Sequence, residues 1–116
     1  MAVIEYWHNP RCTKSRQGLA LLEEKGAEVN VRRYLDEPPS LDEITAAWEA
    51  LGRPPVIQMM RPKERAFTEE GLTRDTADEA LFAAMASHPI LIERPLAIRD
   101  DRAVIGRPTE RLLDLL

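Results

Sequence analysis

The chain has one cysteine, Cys12, within His8-Asn9-Pro10-Arg11-Cys12-Thr13-Lys14-Ser15-Arg16, between a strand-like apolar run and an amphipathic helical one. A thiol at that junction faces the first turn of a helix, where free backbone N–H groups and the positive end of the macrodipole favour its anion. His8, Arg11, Lys14 and Arg16 add charge or potential charge around it. Such neighbours lower a thiol pKa from its usual value of roughly 8.5, so the sequence predicts a nucleophilic thiolate at neutral pH. His8, just upstream, can reach the sulfur, and the Ser15 hydroxyl can donate to it from the first helical turn, which makes both candidates for stabilising the thiolate. Ser15 also holds the place of a resolving thiol in a Cys-x-x-Cys pair. With no second cysteine in the chain, a redox cycle must take its second thiol from another molecule.

Of the 16 basic residues, 13 are arginine, and Arg94 and Arg107 each precede a proline. That placement biases both away from helix and towards extended loop ends, from which a side chain can be held over a site. Arg61, delivered by a short apolar segment, completes the group. Guanidinium groups bind oxyanions through a planar fork and keep their charge, so a small anion is the ligand this residue type suits. Pro95, opening a strand beside a reactive cysteine, is a candidate for a cis bond that exposes backbone groups to an extended thiol peptide; a trans proline at a strand start fits the sequence equally.

The remaining composition narrows the class. A net charge of −4 argues against a role in coating nucleic acid. One cysteine and two distant histidines do not make a typical zinc site, and there is no Gly-rich phosphate loop or dinucleotide fingerprint. The first ten residues carry no leader pattern and no apolar run approaches a membrane span, so a soluble, cytoplasmic protein is expected. At 116 residues, 44% of them hydrophobic, the chain fits a single domain.

These residues need a frame. Ala2 to Trp7 reads as a strand, Thr13 to Lys25 as a helix burying Leu19, Ala20 and Leu22, and Glu28 to Tyr34 as a second strand, parallel to the first. Ser40-Leu41-Asp42-Glu43 is a capping box opening a helix with Leu41, Ile44, Trp48 and Leu51 on one stripe and Gly52 as its stop. Pro54 to Met60 predicts a short helix, Pro62 to Arg74 is charged and irregular, and Thr76-Ala77-Asp78-Glu79 reads as a second capping box before Leu81, Phe82 and Met85. The apolar run Ile90 to Ile98, the turn Asp100-Asp101 and Ala103 to Gly106 predict an antiparallel hairpin. A helix from Pro108 to Leu116, with Leu112, Leu113 and Leu116 inward, closes the chain. The expected fold is α/β: a mixed sheet built from a βαβ half and a ββα half with helices inserted between them.

The ordered motifs His8 to Arg16, Tyr34-Leu35-Asp36-Glu37-Pro38-Pro39, Arg61, His88-Pro89-Ile90-Leu91-Ile92-Glu93-Arg94-Pro95 and Gly106-Arg107-Pro108 cover almost the whole chain. In this the sequence resembles the glutaredoxin-dependent arsenate reductases, the ArsC-type family with a thioredoxin-like (glutaredoxin-like) fold and a helical insertion. The resemblance implies a core of residues 1–37 and 88–116 and an insertion of residues 38–87. It implies Cys12 as nucleophile, His8 and Ser15 as keepers of the thiolate, and Arg61, Arg94 and Arg107 as the oxyanion site. Arsenate would be reduced to arsenite with glutathione as co-substrate, a glutaredoxin as reductant and no bound cofactor, and phosphate would compete without turning over. The segment Pro62-Lys63-Glu64 after Arg61 departs from the family's pattern. Two other classes fit the same fold: a thiol oxidoreductase with a different substrate, and a redox-sensing regulator that binds RNA polymerase, although such sensors carry the second cysteine that Ser15 replaces.

Overall fold

The computed structural model describes residues 3–116, so Ala2, expected in the first strand, lies outside the described residues. The elements run β1 (Ile4–Trp7), α1 (Thr13–Glu24), β2 (Val29–Arg32), α2 (Leu41–Ala50), a 3₁₀ turn (Val56–Met59), α3 (Arg65–Glu69), α4 (Asp78–Ser87), a second 3₁₀ turn (Pro89–Leu91), β3 (Leu96–Arg99), β4 (Arg102–Ile105) and a 3₁₀ helix (Thr109–Leu115). The four strands form one mixed sheet in the order β2-β1-β3-β4, with β1 parallel to β2 and antiparallel to β3, and β3 antiparallel to β4. This is the mixed α/β sheet expected from the sequence.

Strand alternation divides the interior into two layers. Ile4 and Tyr6 point to the side covered by α1 and the last helix, where they meet Leu22, Ala97, Leu112 and Leu115. Trp7 points the other way, into a larger cluster with Ile44, Met59, Met85 and Leu91. Covering both faces leaves the chemistry to the ends of the strands.

The register does the positioning. Trp7 pairs with Leu96, and Leu96 with Ile105, so the residues just beyond them (His8 after β1, Pro95 before β3 and Gly106 after β4) fall at one end of the sheet. Gly106 N–H donates to the Pro95 carbonyl at 2.9 Å. A Cβ on Gly106 would lie 2.8 Å from the Pro95 ring and 2.9 Å from Leu112, so only glycine admits this contact. The prolyl bonds Arg94–Pro95 and Arg107–Pro108 are both cis.

Several expectations are corrected. In α1 the buried residues are Ser15, Gly18 and Leu22, whereas Ala20 is exposed, because small residues take the positions nearest the sheet. The Ser40 capping box is present in full, but Leu41, at the first helical position, is exposed. The second capping box does not form: Ala77 is the N-cap of α4, and the Thr76 hydroxyl instead accepts from Thr73 N–H at 2.8 Å in the preceding turn. Ile90 to Ile92 is not a strand; it holds the 3₁₀ turn and a single bridge between Ile92 and Met60. The last helix is 3₁₀, with three residues per turn, so Leu112 and Leu115 face inward, Leu113 is half-buried and Leu116 is exposed.

Candidate active site

Cys12 is the N-cap of α1, in extended conformation, and only 9% exposed. Its sulfur makes no conventional capping hydrogen bond. Burial pushes the thiol pKa up, but the Ser15 N–H, the Arg94 guanidinium and the Lys14 N–H outweigh it, and the net shift is below the ordinary thiol value. The helix terminus thus acts as the sequence predicts, whereas the neighbouring cations do not. Arg11 and the Lys14 side chain are exposed to water, which screens them, and Arg16 donates to the Pro10 carbonyl at 2.8 Å and to the Thr13 hydroxyl at 3.2 Å. The effective cation comes from 82 residues further along the chain.

His8 and Ser15 are brought together, but not on the sulfur. Asn9 N–H donates to Ser15 Oγ at 3.0 Å, and Oγ shares a hydrogen bond of 2.8 Å with His8 Nδ1, so the hydroxyl is engaged by the ring and the Asn9 backbone. Burial, followed by the Arg33 and Arg16 cations, lowers the His8 pKa, so the imidazole is neutral at pH 7 and supplies no charge. What Ser15 turns towards Cys12 is its backbone N–H. The Tyr6 hydroxyl, donating to the Ser15 carbonyl at 2.6 Å, fixes this first turn from below.

The three arginines converge from separate loops. Arg107 Nη2 lies 3.8 Å from Cys12 Sγ, and its Nε donates to the Arg94 carbonyl at 2.7 Å. Arg94, with its side chain 13% exposed, has Nε and Nη1 buried without a hydrogen-bond partner. Arg61 follows the first 3₁₀ turn, and its N–H donates to the Leu91 carbonyl at 2.8 Å. Its guanidinium pairs with Glu64 at 2.5 Å. The departure at Pro62-Lys63-Glu64 therefore supplies a counter-ion to Arg61.

Two site neighbours escaped the sequence reading. Glu93 Oε1 lies 3.3 Å from Arg107 Nε and 3.9 Å from both Arg61 Nε and Arg94 Nη1. It was legible only as a carboxylate adjoining Arg94. Tyr34 is 1% exposed, and burial pushes its phenol up to about 12 against the opposing pull of Arg94. Among the described residues no group of three or more His, Cys, Asp or Glu side chains is placed to hold a metal ion. Likewise, no helix is long and apolar enough to cross a membrane.

Residues 7–115 match the model of the ArsC family. The chain belongs to the ArsC family. An arsenate reductase of Haemophilus influenzae is 44% identical over 117 residues, covering 100% of both chains. One of Neisseria meningitidis is 43% identical over 113 residues, 97% of each. Among solved structures, an arsenate reductase from Vibrio cholerae superposes with a TM-score of 0.94 at 44% identity, covering 99% of this chain and 98% of that one. The thioredoxin-like arrangement of this ArsC family member is thus shared nearly end to end.

Proposed function

We propose that the protein reduces arsenate to arsenite through a covalent Cys12 adduct, with glutathione and a glutaredoxin as external thiols. The observation that carries the reading is the thiol of lowered pKa at a helix N-terminus, facing Arg107 at 3.8 Å and held down by the Arg94 guanidinium. The arsenate reductase relatives supply the element.

In this reading arsenate binds with Arg94 and Arg107, and with Arg61 once it turns from Glu64. The Cys12 thiolate attacks arsenic(V), an arsenate oxygen leaves as water, and an S–As bond forms. Glutathione displaces a second oxygen as water. A glutaredoxin thiolate then attacks the glutathione sulfur: a mixed disulfide forms, the As–S pair stays on arsenic, and arsenic(V) becomes arsenic(III). Hydrolysis of the remaining S–As bond releases arsenite and returns the Cys12 thiolate. Phosphate, of similar shape and charge, binds and does not turn over. Reduced external thiols of this kind are those of the cytoplasm.

The test is arsenite production from arsenate with glutathione and glutaredoxin present. The wild type should turn over, and the Cys12→Ser protein should bind phosphate but form no arsenite. Full activity in Cys12→Ser would eliminate the adduct.

A further inference from the structure

We infer that Glu93 is a specificity-determining residue of the oxyanion site: its carboxylate, set among the three arginines, makes the site select a singly charged oxyanion over a doubly charged one. The inference rests on the reading of this cluster as an oxyanion site.

One oxygen of Glu93 is the hub of the cluster. Oε1 accepts the Arg94 backbone N–H at 3.1 Å and lies 3.3 Å from Arg107 Nε, with Arg61 Nε and Arg94 Nη1 each at 3.9 Å. It is fixed from behind, because Glu93 N–H donates to the Met59 carbonyl at 2.8 Å. An anion held at Cys12 by Arg107 Nη2 and the Arg94 guanidinium meets the two side chains that this oxygen already neighbours.

The charges facing Glu93 from the other elements do not relieve this. From the loop before α3, Glu64 occupies Arg61. From the start of α1 comes Cys12, whose thiol pKa is lowered, and from the loop after β2 the neutral phenol of Tyr34. From the last helix, Arg111 lines a groove of about 270 Å³ shared with Glu93 and Arg107. Glu64 and Glu93 match two of the three inner guanidinium groups, the exposed Arg111 is screened by water, and one inner positive charge is left whether or not Cys12 is replaced. That field suits one negative charge.

The chemistry of the ligand completes the argument. Phosphate and arsenate lose their second proton near neutral pH. The singly charged form still carries O–H groups and donates one to Glu93 Oε1 in a charge-assisted hydrogen bond. The doubly charged form keeps one O–H but brings a second negative charge against the carboxylate, and sulfate brings that charge with no proton to donate.

Calorimetric titration with inorganic phosphate and with sulfate tests this, on the acid and alkaline sides of the second phosphate ionisation, in the Cys12→Ser protein so that the thiolate plays no part. Phosphate on the acid side should bind on the order of tenfold more tightly than sulfate, or than phosphate on the alkaline side. Adding Glu93→Gln should close the gap by strengthening sulfate and alkaline phosphate, whereas Glu93→Asp should keep it. A gap that survives Glu93→Gln overturns the inference. So does equal binding of the two anions by the Cys12→Ser protein, a comparison that needs no Glu93 variant and leaves the oxyanion site intact. Absence of any anion binding in that protein overturns both.

Discussion

Arg107 Nε donates to the carbonyl oxygen of Arg94 at 2.7 Å while Arg107 Nη2 stands 3.8 Å from Cys12 Sγ. A single guanidinium therefore ties the loop after β4 to the loop before β3 and to the sulfur at the start of α1. Only a planar fork does this, since a lysine ammonium cannot direct donors both ways at once. Arg107→Lys should keep the charge and lose the bridge. One charge-assisted hydrogen bond is worth about 1.5–3 kcal/mol, so kcat/KM for arsenate should fall on the order of ten- to a hundredfold. Steady-state kinetics with glutathione and glutaredoxin would measure it, and wild-type kinetics would place Arg107 outside the reaction.

The same corner depends on a residue without a side chain. Gly106 lets the Pro95 ring and Leu112 come closer than any Cβ permits, the nearest atoms being 2.8 and 2.9 Å from where one would stand. Neither neighbour is free to move: Leu112 is fully buried, and the Pro95 carbonyl accepts from Gly106 itself. Gly106→Ala should cost about 1–3 kcal/mol in denaturant unfolding, the usual cost of overpacking. It should also lower activity, because Arg107 is the next residue.

How far the sequence reveals this site depends on the range over which each residue acts. The Ser40 capping box forms with both partners within one turn, whereas Thr76, with the same spacing, gives its oxygen to the Thr73 N–H of the preceding turn. Position along the chain is enough to place Cys12 at a helix start. It does not reveal that Arg94 rather than Arg11, Lys14 or Arg16 sets the thiol's charge, because that depends on which cation is shielded from water. Glu93 shows the limit most plainly. Beyond the adjacent Arg94, its neighbours Arg107 and Arg61 converge through the β3-β4 register and the backing from Met59, neither of which has a local signature.

Away from the site, Glu43 links β2 to α2. Its hydrogen bond from Arg32, then the one from Ser40 N–H, holds the Glu43 pKa down to about 2. Because the folded value lies below the unfolded one of roughly 4.3, the stabilisation is complete above that range and is lost as the pH falls towards the folded value. Glu43→Gln keeps a capping-box acceptor at the same position and removes only the charge. The variant should be less stable than wild type at neutral pH, by under about 1 kcal/mol because the pair is solvent-screened, and the difference should vanish through the acid range. A difference that persists unchanged at the acid end would assign the effect to packing.

Ser15 separates two explanations of the Cys12 anion. If the hydroxyl stabilised the sulfur, Ser15→Ala would raise the thiol pKa; the geometry instead gives the hydroxyl to His8 and Asn9, and the sulfur a backbone N–H that alanine retains. Ser15→Ala should therefore leave the thiolate titration, followed by ultraviolet absorbance or alkylation rate against pH, close to wild type. Arg94→Ala should move it upward. The serine change should register in stability, because Ser15 is fully buried and its loss strands His8 Nδ1 and Asn9 N–H, a cost of about 1–3 kcal/mol. A titration moved as far by Ser15→Ala as by Arg94→Ala would return the role to the hydroxyl.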